Sequence, residues 1–463
     1  MLYLSGQPSK EVLYEDSIYR EQRLSVFLSG IVAFGHERHF HGPLFSRLRE
    51  KRVRESPARR WTLAPLIYVC LLMALENAAT LQEQFDHARR KVVEMFPGRR
   101  RPGRSYQGFV AARRRISRSQ IRMLKRQLCR HHRQIAGTFW RRHDWLAFAA
   151  DGTRIKLPRT AKNERAFGGA TRAKSAPELS LTSLYHLGTG LPWAWRIGPG
   201  PESEQVHLRR MLGWLPRRSL LIADAGFTSF DLLRSLQDRG VAFLVRMGSN
   251  RTLLTGLADA RVRVRGELVW FWPQAKQSQA APLVLRLVRL QQTNHPAMCL
   301  ASSVLDERRL TDRQIGQFYR MRWGQEVFHR SFKRTLAQHT LRSASPGQAR
   351  HELDWAVMAY LVLGLWTVQA QIEARHDPLN WSVAQALRLV RTRLLVTQPV
   401  GRRPLLDQLR GAVKDRYVRH GPKAARHWPR KKNDHPPGLP KLREATLKER
   451  CRAITIYETN KPT

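Results

Sequence analysis

Hydrophobic positions are distributed differently in the outer and middle parts of the chain. Trp61–Ala79, Leu353–Ile372 and Trp381–Leu395 are mainly apolar and predict buried helices. Ser105 is a suitable N-cap for a further long helix, because apolar residues then recur at helical spacing as far as Leu128. Helical segments are therefore predicted on both sides of a middle region that has a different pattern.

In the middle region, short apolar runs alternate with amphipathic segments. The predicted strands are Trp145–Ala150, Arg154–Leu157, Leu179–Leu187, Leu220–Ala223 and Val241–Arg246, and the predicted helices are Ser203–Trp214 and Ser229–Arg239. The run Leu220–Ala223 has no polar residue, as is typical of a strand buried on both faces. Strands that alternate with helices predict an α/β sheet with a site at its edge.

A β-rich segment interrupts this pattern between about residues 248 and 305. Val262–Arg265 alternates, Leu268–Trp272 is apolar, and Leu283–Leu290 alternates with Arg286 and Arg289. We interpret this segment as a β-rich insertion in the α/β core.

Four segments follow from these patterns. Residues 1–140 form a helical, basic N-terminal domain, residues 141–345 the α/β core with its insertion, and residues 346–415 a helical C-terminal region. Residues 416–463 form a basic tail, in which Arg416–Lys448 has many Pro and Gly residues and is predicted to be extended on phosphates or disordered.

The charge of the chain points to a polyanionic partner. Lys and Arg total 82 against 36 Asp and Glu, which gives a formal net charge of +46. The helix after Ser105 carries a basic face formed by Arg114, Arg115, Arg118, Arg122 and Lys125. Such a face could enter a DNA groove or be merely solvated, and the overall charge favours a DNA-binding N-terminal domain.

Other classes of protein fit the sequence poorly. The cysteines are far apart and form no CxxC pair: Cys70, Cys129, Cys299 and Cys451. A disulfide framework or zinc finger is therefore not expected, and a reduced, cytoplasmic protein is. His36, His39 and His41 have no acidic or Cys ligands nearby and suit a basic loop better than a metal site. No signal peptide is evident, and the longest apolar runs are too short to span a bilayer.

One predicted helix concentrates chemically useful side chains on one face. Tyr319, Arg322, Glu326 and Lys333 are spaced three, four and seven residues apart, which places them within an arc of roughly 60°. The carboxylate could hold a divalent metal and the other three side chains could hold phosphate. The alternative is an amphipathic helix whose charged face is only solvated.

Two aspartates complete a candidate metal site. Asp151 and Asp224 each follow an apolar strand, and Glu326 lies on the helix. Two Asp and one Glu suit Mg²⁺ or Mn²⁺, and two such ions can support phosphoryl transfer. An Asp at a strand end alone more often caps a turn. The three carboxylates beside a phosphate-binding face favour the catalytic interpretation.

These motifs resemble those of a known family, the DDE transposases of insertion-sequence family four. Tyr319, Arg322, Glu326 and Lys333 match its YREK signature at the same spacing. Asp151-Gly152-Thr153 resembles the first Asp motif and Asp224-Ala225-Gly226-Phe227 the second, in which Ala225 replaces a common Arg. The resemblance covers about residues 145–366.

The resemblance implies an RNase H-like catalytic core with the β-rich insertion before the helix of Glu326. It implies that Asp151, Asp224 and Glu326 bind two Mg²⁺ or Mn²⁺ ions, and that Tyr319, Arg322 and Lys333 grip DNA phosphate. Some relatives stack a flipped base on a Trp of the insertion. Trp270 and Trp272 are candidates for this, and equally for core residues of the β-rich segment.

The function implied is that of a cut-and-paste transposase. It would bind the inverted-repeat ends of its own insertion sequence, cleave them and join the 3′-OH ends to target DNA. A homodimer bridging two DNA ends is expected from the resemblance, with the protein in the bacterial cytoplasm on the nucleoid. The alternatives are another RNase H-like nuclease, or a co-opted DNA-binding protein without catalysis. The presence of all three carboxylates argues against loss of catalysis.

Overall fold

A computed structural model describes residues 60–95, 102–168, 176–257, 267–292, 295–395, 405–415 and 437–459. The predictions for His36, His39, His41 and Val262–Arg265 lie outside these residues. The chain divides into two compact units, residues 1–137 with 331–414, and residues 138–330 with 415–463. The N-terminal helices thus belong to one unit with the helices that follow the core.

The helices and strands of the described residues are as follows in chain order. The helices are α1 Leu63–Leu75, α2 Leu81–Met95, α3 Tyr106–Arg114, α4 Arg118–Ala136, α5 Ala161–Phe167, α6 Glu204–Met211, α7 Phe230–Asp238, α8 Asp312–Met321, α9 Trp323–Arg334, α10 Pro346–Glu373, α11 Val383–Leu395, α12 Leu405–Arg410 and α13 Leu447–Thr459. The strands are β1 Leu146–Lys156, β2 Glu178–His186, β3 Leu191–Pro199, β4 Ser219–Ala223, β5 Ala242–Met247, β6 Thr252–Thr255, β7 Leu268–Phe271, β8 Leu283–Gln292, β9 His295–Ser302 and β10 Lys441–Glu444.

The first unit is helical and is organised around α10. This helix contacts α1, α4, α11 and α12. It is the one described helix that is long and apolar enough to cross a membrane, and 89% of its apolar window is buried within the protein. Because its apolar surface is already covered by protein, we describe α10 as a core helix.

The long helix predicted from Ser105 to Leu128 is in fact two helices, α3 and α4. The break is produced by a capping box, in which the Ser117 hydroxyl accepts from the Gln120 N–H and the Gln120 side chain accepts from the Ser117 N–H. The helical spacing of apolar residues continues across this break, so the sequence pattern does not reveal it. The residues of the predicted basic face have different surroundings. Lys125 forms an ion pair with Asp354 of α10 at 2.6 Å. The four arginines of that face are exposed.

The second unit contains a mixed sheet with the order β10-β6-β7-β8-β9-β5-β4-β1-β2-β3. Strands β1, β2 and β3 form an antiparallel meander, β4 and β5 run parallel to β1, and β9 is antiparallel to β5. The fold class is therefore α/β, as predicted. The β-rich segment continues the same sheet through β9, rather than standing apart from it.

Strand β1 joins two predicted strands into one. Asp151, predicted at a strand end, lies within β1 and pairs with Ser183 of β2. The antiparallel partner β2 supports β1 as far as Lys156, whereas the pairing with β4 ends at Ala150. Asp151 is thus the first residue of β1 whose β4 side is open.

The C-terminal residues are folded where an extended or disordered tail was predicted. The structure differs from that prediction for residues 441–448, because β10 pairs in parallel with β6 and α13 begins at Leu447. Glu449 of α13 accepts hydrogen bonds from Arg443, Thr446 and Gln277. Every residue of β10 is exposed, so no hydrophobic pattern marked it as a strand. Residues 416–436 lie outside the description.

Candidate functional site

The two aspartates lie side by side at the sheet. Ala150 of β1 is paired with Ala223 of β4, so Asp151 and Asp224 follow at the same level of two parallel strands. Each carboxylate accepts a 2.8 Å hydrogen bond from the next residue's N–H, that of Gly152 or Ala225. Asp224 therefore has the turn-capping role weighed from the sequence, since it is the N-cap of a 3₁₀ turn, whereas Asp151 lies within β1. The two residues share one edge of the site.

Helices α8 and α9 present the motif residues to this edge. The predicted single helix is divided at Arg322, whose φ of −51° and ψ of −34° keep the backbone helical. The Tyr319 hydroxyl donates to Asp224 Oδ1 at 3.2 Å. Arg322 Nη2 donates to Glu326 Oε1 at 3.1 Å, and its guanidinium lies 5.4 Å from the centre of the Tyr319 ring. The structure thus brings Asp224, Tyr319, Arg322 and Glu326 together.

The guanidinium of Arg322 interacts electrostatically with all three predicted carboxylates. Burial opposes the charge of its guanidinium, but Tyr319, Asp224, Glu326 and Asp151 together raise the pKa of Arg322. Its Nε is buried and has no hydrogen-bond partner among the described residues. A charged, partly unsatisfied guanidinium beside the aspartates is a suitable group to receive an anion such as phosphate.

Asp151 is the carboxyl group most affected by this crowding. Burial, followed by the charges of Glu204 and Glu326, raises the pKa of Asp151 to about 6, while the Gly152 N–H and Arg322 oppose the change. Burial and the charge of Asp224 raise the pKa of Tyr319 to about 12, so its hydroxyl remains a donor. A divalent cation between such carboxylates would relieve their repulsion.

A buried glutamine, missed from the sequence, attaches α9 to the sheet. The Gln325 amide donates to the Ser183 carbonyl at 2.8 Å, the Ser183 hydroxyl at 3.0 Å and the Asp151 carbonyl at 3.3 Å. His329 contacts the Ser183 hydroxyl at 3.2 Å and lies 3.8 Å from Asp151 Oδ2. These contacts hold the helix of Glu326 against β1 and β2. The sequence places Gln325 beside Glu326 but does not indicate what it contacts.

Glu204 is a further carboxylate that sequence analysis missed. It is the first residue of α6, is half-buried, and lies against the backbone of Gly152. Burial raises the pKa of Glu204, and the charge of Arg154 opposes this. The negative charge of Glu204 in turn contributes to the raised pKa of Asp151. Four carboxyl groups therefore contribute to the electrostatics of this edge.

The remaining predicted site residues are Lys333, Trp270 and Trp272. Lys333 lies in the last turn of α9, seven residues after Glu326, and belongs to the other compact unit. Trp270 and Trp272 are 7% and 2% exposed, and Trp272 Nε1 donates to the Ala280 carbonyl. Their burial favours the interpretation as core residues of the β-rich segment. The exposed tryptophan near the motif is Trp323, at 60%.

The side chains of this edge differ in how well their spacing and their chemistry suit a divalent cation. Among the described residues, no group of three or more His, Cys, Asp or Glu side chains is spaced to hold a metal ion. The chemistry of the side chains is nevertheless suitable. Asp151, Asp224 and Glu326 supply only oxygen donors, which Mg²⁺ and Mn²⁺ prefer. All three carboxylates raise the pKa of the same guanidinium, that of Arg322.

Comparisons with known proteins found similarity to transposases. Residues 144–362 match the transposase DDE domain model. The chain is 24% identical over 316 residues to the transposase InsG for insertion sequence element IS4 of Escherichia coli (strain K12), covering 65% of this chain and 69% of that protein. It is 27% identical over 136 residues to the putative transposase InsZ of the same organism, covering 28% and 44%.

A solved structure was also found. It is the cryo-EM structure of the piggyBac transposase synaptic complex with hairpin DNA, with a TM-score of 0.38 and 12% identity over 80% of this chain and 81% of that chain.

Proposed function

We propose that this chain is a DDE transposase of insertion-sequence family four and that it catalyses cut-and-paste transposition of its own insertion sequence; the match to the transposase DDE domain model and the similarity to a transposase of that family support this. It would bind the inverted-repeat ends, cleave them and join the 3′-OH ends to target DNA. The observation that carries the proposal is the alignment of Asp151 and Asp224 on neighbouring parallel strands beside the helix of Glu326. The order β3-β2-β1-β4-β5 supports an RNase H-like core.

Asp151, Asp224 and Glu326 are the residues that would hold Mg²⁺ or Mn²⁺, with two ions in the active complex. Bound there, the ions would activate a water or 3′-hydroxyl and stabilise the leaving oxygen of the scissile phosphate. Gln325 bonds the backbone of Asp151 and Ser183, which would hold the helix of Glu326 beside Asp151 before DNA binds. Preorganised charge of this kind is a main source of rate enhancement.

Tyr319, Arg322 and Lys333 would bind the DNA backbone. The Tyr319 hydroxyl is a donor at neutral pH, and Arg322 has an unpartnered buried Nε. Together they can offer hydrogen bonds to a phosphate held next to the aspartates. Lys333 would act as a point charge further along α9.

The first unit would supply much of the affinity for the element ends. Arg114, Arg115, Arg118 and Arg122 are exposed on α3, α4 and the segment between them. The net charge of +46 over the chain suits long contacts with DNA phosphates. We further propose a homodimer in the DNA complex, acting in the bacterial cytoplasm.

The proposal is tested with the full chain and a DNA duplex that carries the inverted repeat flanking its gene. We expect cleavage at the repeat end and joining of its 3′-OH to a second DNA, both dependent on Mg²⁺. Cleavage of any DNA without preference for the repeat would instead identify a nuclease. Selective binding with no cleavage in Mg²⁺ or Mn²⁺ would identify a DNA-binding protein without catalysis.

A further inference from the structure

Glu204 lies unusually close to the backbone beside Asp151. Gly152 follows Asp151 in β1, and a Cβ on Gly152 would lie 2.7 Å from Glu204 Cγ and closer still to its carboxyl group. No side chain other than hydrogen could stand at position 152 while Glu204 keeps its place. The glycine therefore leaves a recess in β1 that the Glu204 carboxyl group fills.

Helix α6 is held so that its first residue points at this recess. His207, one turn after Glu204, is completely buried and bonds the Thr182 hydroxyl of β2 at 2.9 Å and Glu202 Oε2 at 2.8 Å. The Gln205 amide donates to the Gly226 carbonyl, two residues after Asp224, at 2.5 Å. The start of α6 is thus attached to β2 on one side and to the turn of Asp224 on the other.

The simplest structural role does not account for this placement. An acidic residue in the first turn of a helix stabilises the helix dipole, and Glu204 can do so from any exposed rotamer. Yet its half-buried carboxylate lies against Gly152 of β1, and it has no hydrogen bond or ion pair with any of the described residues. Arg154 affects it only through longer-range charge. A carboxylate placed beside another carboxylate without a partner is suited to a cation.

We infer that Glu204 is a fourth acidic residue of the metal site, which binds the divalent cation together with Asp151, directly or through a water. The inference rests on the proposed metal-dependent function and extends it to a residue outside the YREK signature and the two Asp motifs. Glu204 would hold the cation on the side of Asp151 that faces α6, whereas Glu326 approaches from α9.

The test is Mn²⁺ binding to the full chain, measured by isothermal titration calorimetry without DNA. We expect Glu204→Gln to weaken binding about tenfold, as loss of a supporting ligand does. Gly152→Ala should weaken it similarly, because the added methyl group displaces the Glu204 carboxylate. The double variant should bind no more weakly than either single variant, since both changes remove the same interaction. Glu307→Gln, an exposed site, is the matched control and should bind normally.

The outcomes separate this inference from the function on which it rests. Normal Mn²⁺ binding by Glu204→Gln, together with loss of binding by Asp151→Asn, would overturn the role of Glu204 and leave the proposed metal site standing. Normal binding by both variants, or no binding by the unaltered protein, would overturn both. Additive losses in Gly152→Ala and the double variant would show that the glycine acts independently of Glu204, contrary to the inference. Far-UV circular dichroism confirms that each variant is folded.

Discussion

Asp151→Asn is expected to stabilise the metal-free protein at neutral pH, although it removes a proposed metal ligand. Burial and the charges of Glu204 and Glu326 raise the pKa of the folded Asp151 carboxyl from 3.8 to about 6. The folded state therefore binds this proton more tightly than the unfolded state. Stability consequently falls as pH rises from about 4 to 6, and the full cost of the charge is present above that range.

The size of the effect follows from the change in pKa. Two pKa units correspond to about 3 kcal/mol at most. The Asp151 side chain is 24% exposed, so solvent lowers this somewhat, and we expect about 2 kcal/mol for the neutral Asn. In a unit of this size that difference raises Tm by about 4–8 °C. The gain should be about half as large at pH 5 and vanish near pH 3.5.

The assay is thermal unfolding followed by tryptophan fluorescence between pH 3.5 and 8, with a chelator present and Glu307→Gln as control. With Mn²⁺ at a hundred times its Kd, the unaltered protein should gain about 2.7 kcal/mol that Asp151→Asn does not. A lower Tm for Asp151→Asn at pH 7.5, or a gain that is the same at pH 3.5 and 7.5, would refute the electrostatic reasoning.

Three further results are expected. Arg322→Ala should slow strand transfer by orders of magnitude with little loss of Tm, whereas the exposed Arg320→Ala should not; a destabilised Arg322→Ala with a normal single-turnover rate would exclude a phosphate contact. Gln325→Ala should lower stability by about 1–3 kcal/mol in urea, because it leaves the buried Ser183 groups without their donor; an unchanged midpoint would contradict that role. Affinity for DNA should fall with salt at a log–log slope on the order of −5 or steeper, and a flat dependence would contradict binding through phosphates.

Local patterns were sufficient to predict most elements of the second unit. The apolar run before Asp224 predicted β4, and helical spacing placed Tyr319, Arg322 and Glu326 on one face of a helix. Whether Asp151 and Asp224 would be neighbours depends on strand order, which local patterns do not contain. The structure pairs Ala150 of β1 with Ala223 of β4, so Asp151 and Asp224 are neighbours.

Other features depend on partners distant in the chain. Gln325 bonds Ser183 of β2, and Glu204 lies against Gly152 of β1. Because these contacts are made with strands distant in the sequence, no local pattern marks either residue. Strand β10 has no buried residue and forms because β6 offers an open edge. Trp272 was a candidate for base stacking through the family resemblance, but its indole N–H donates to the Ala280 carbonyl within the fold.

Asp151, Asp224 and Glu326 are proposed to support metal-dependent chemistry on DNA. The most direct test compares Glu326→Gln with the unaltered protein, by strand cleavage in Mg²⁺ and by gel-shift binding on a duplex that carries the element end. The substitution removes one charged ligand and preserves the shape of the side chain, so Mg²⁺-dependent cleavage should be abolished while binding is nearly unchanged. Cleavage by Glu326→Gln at the normal rate would contradict the account.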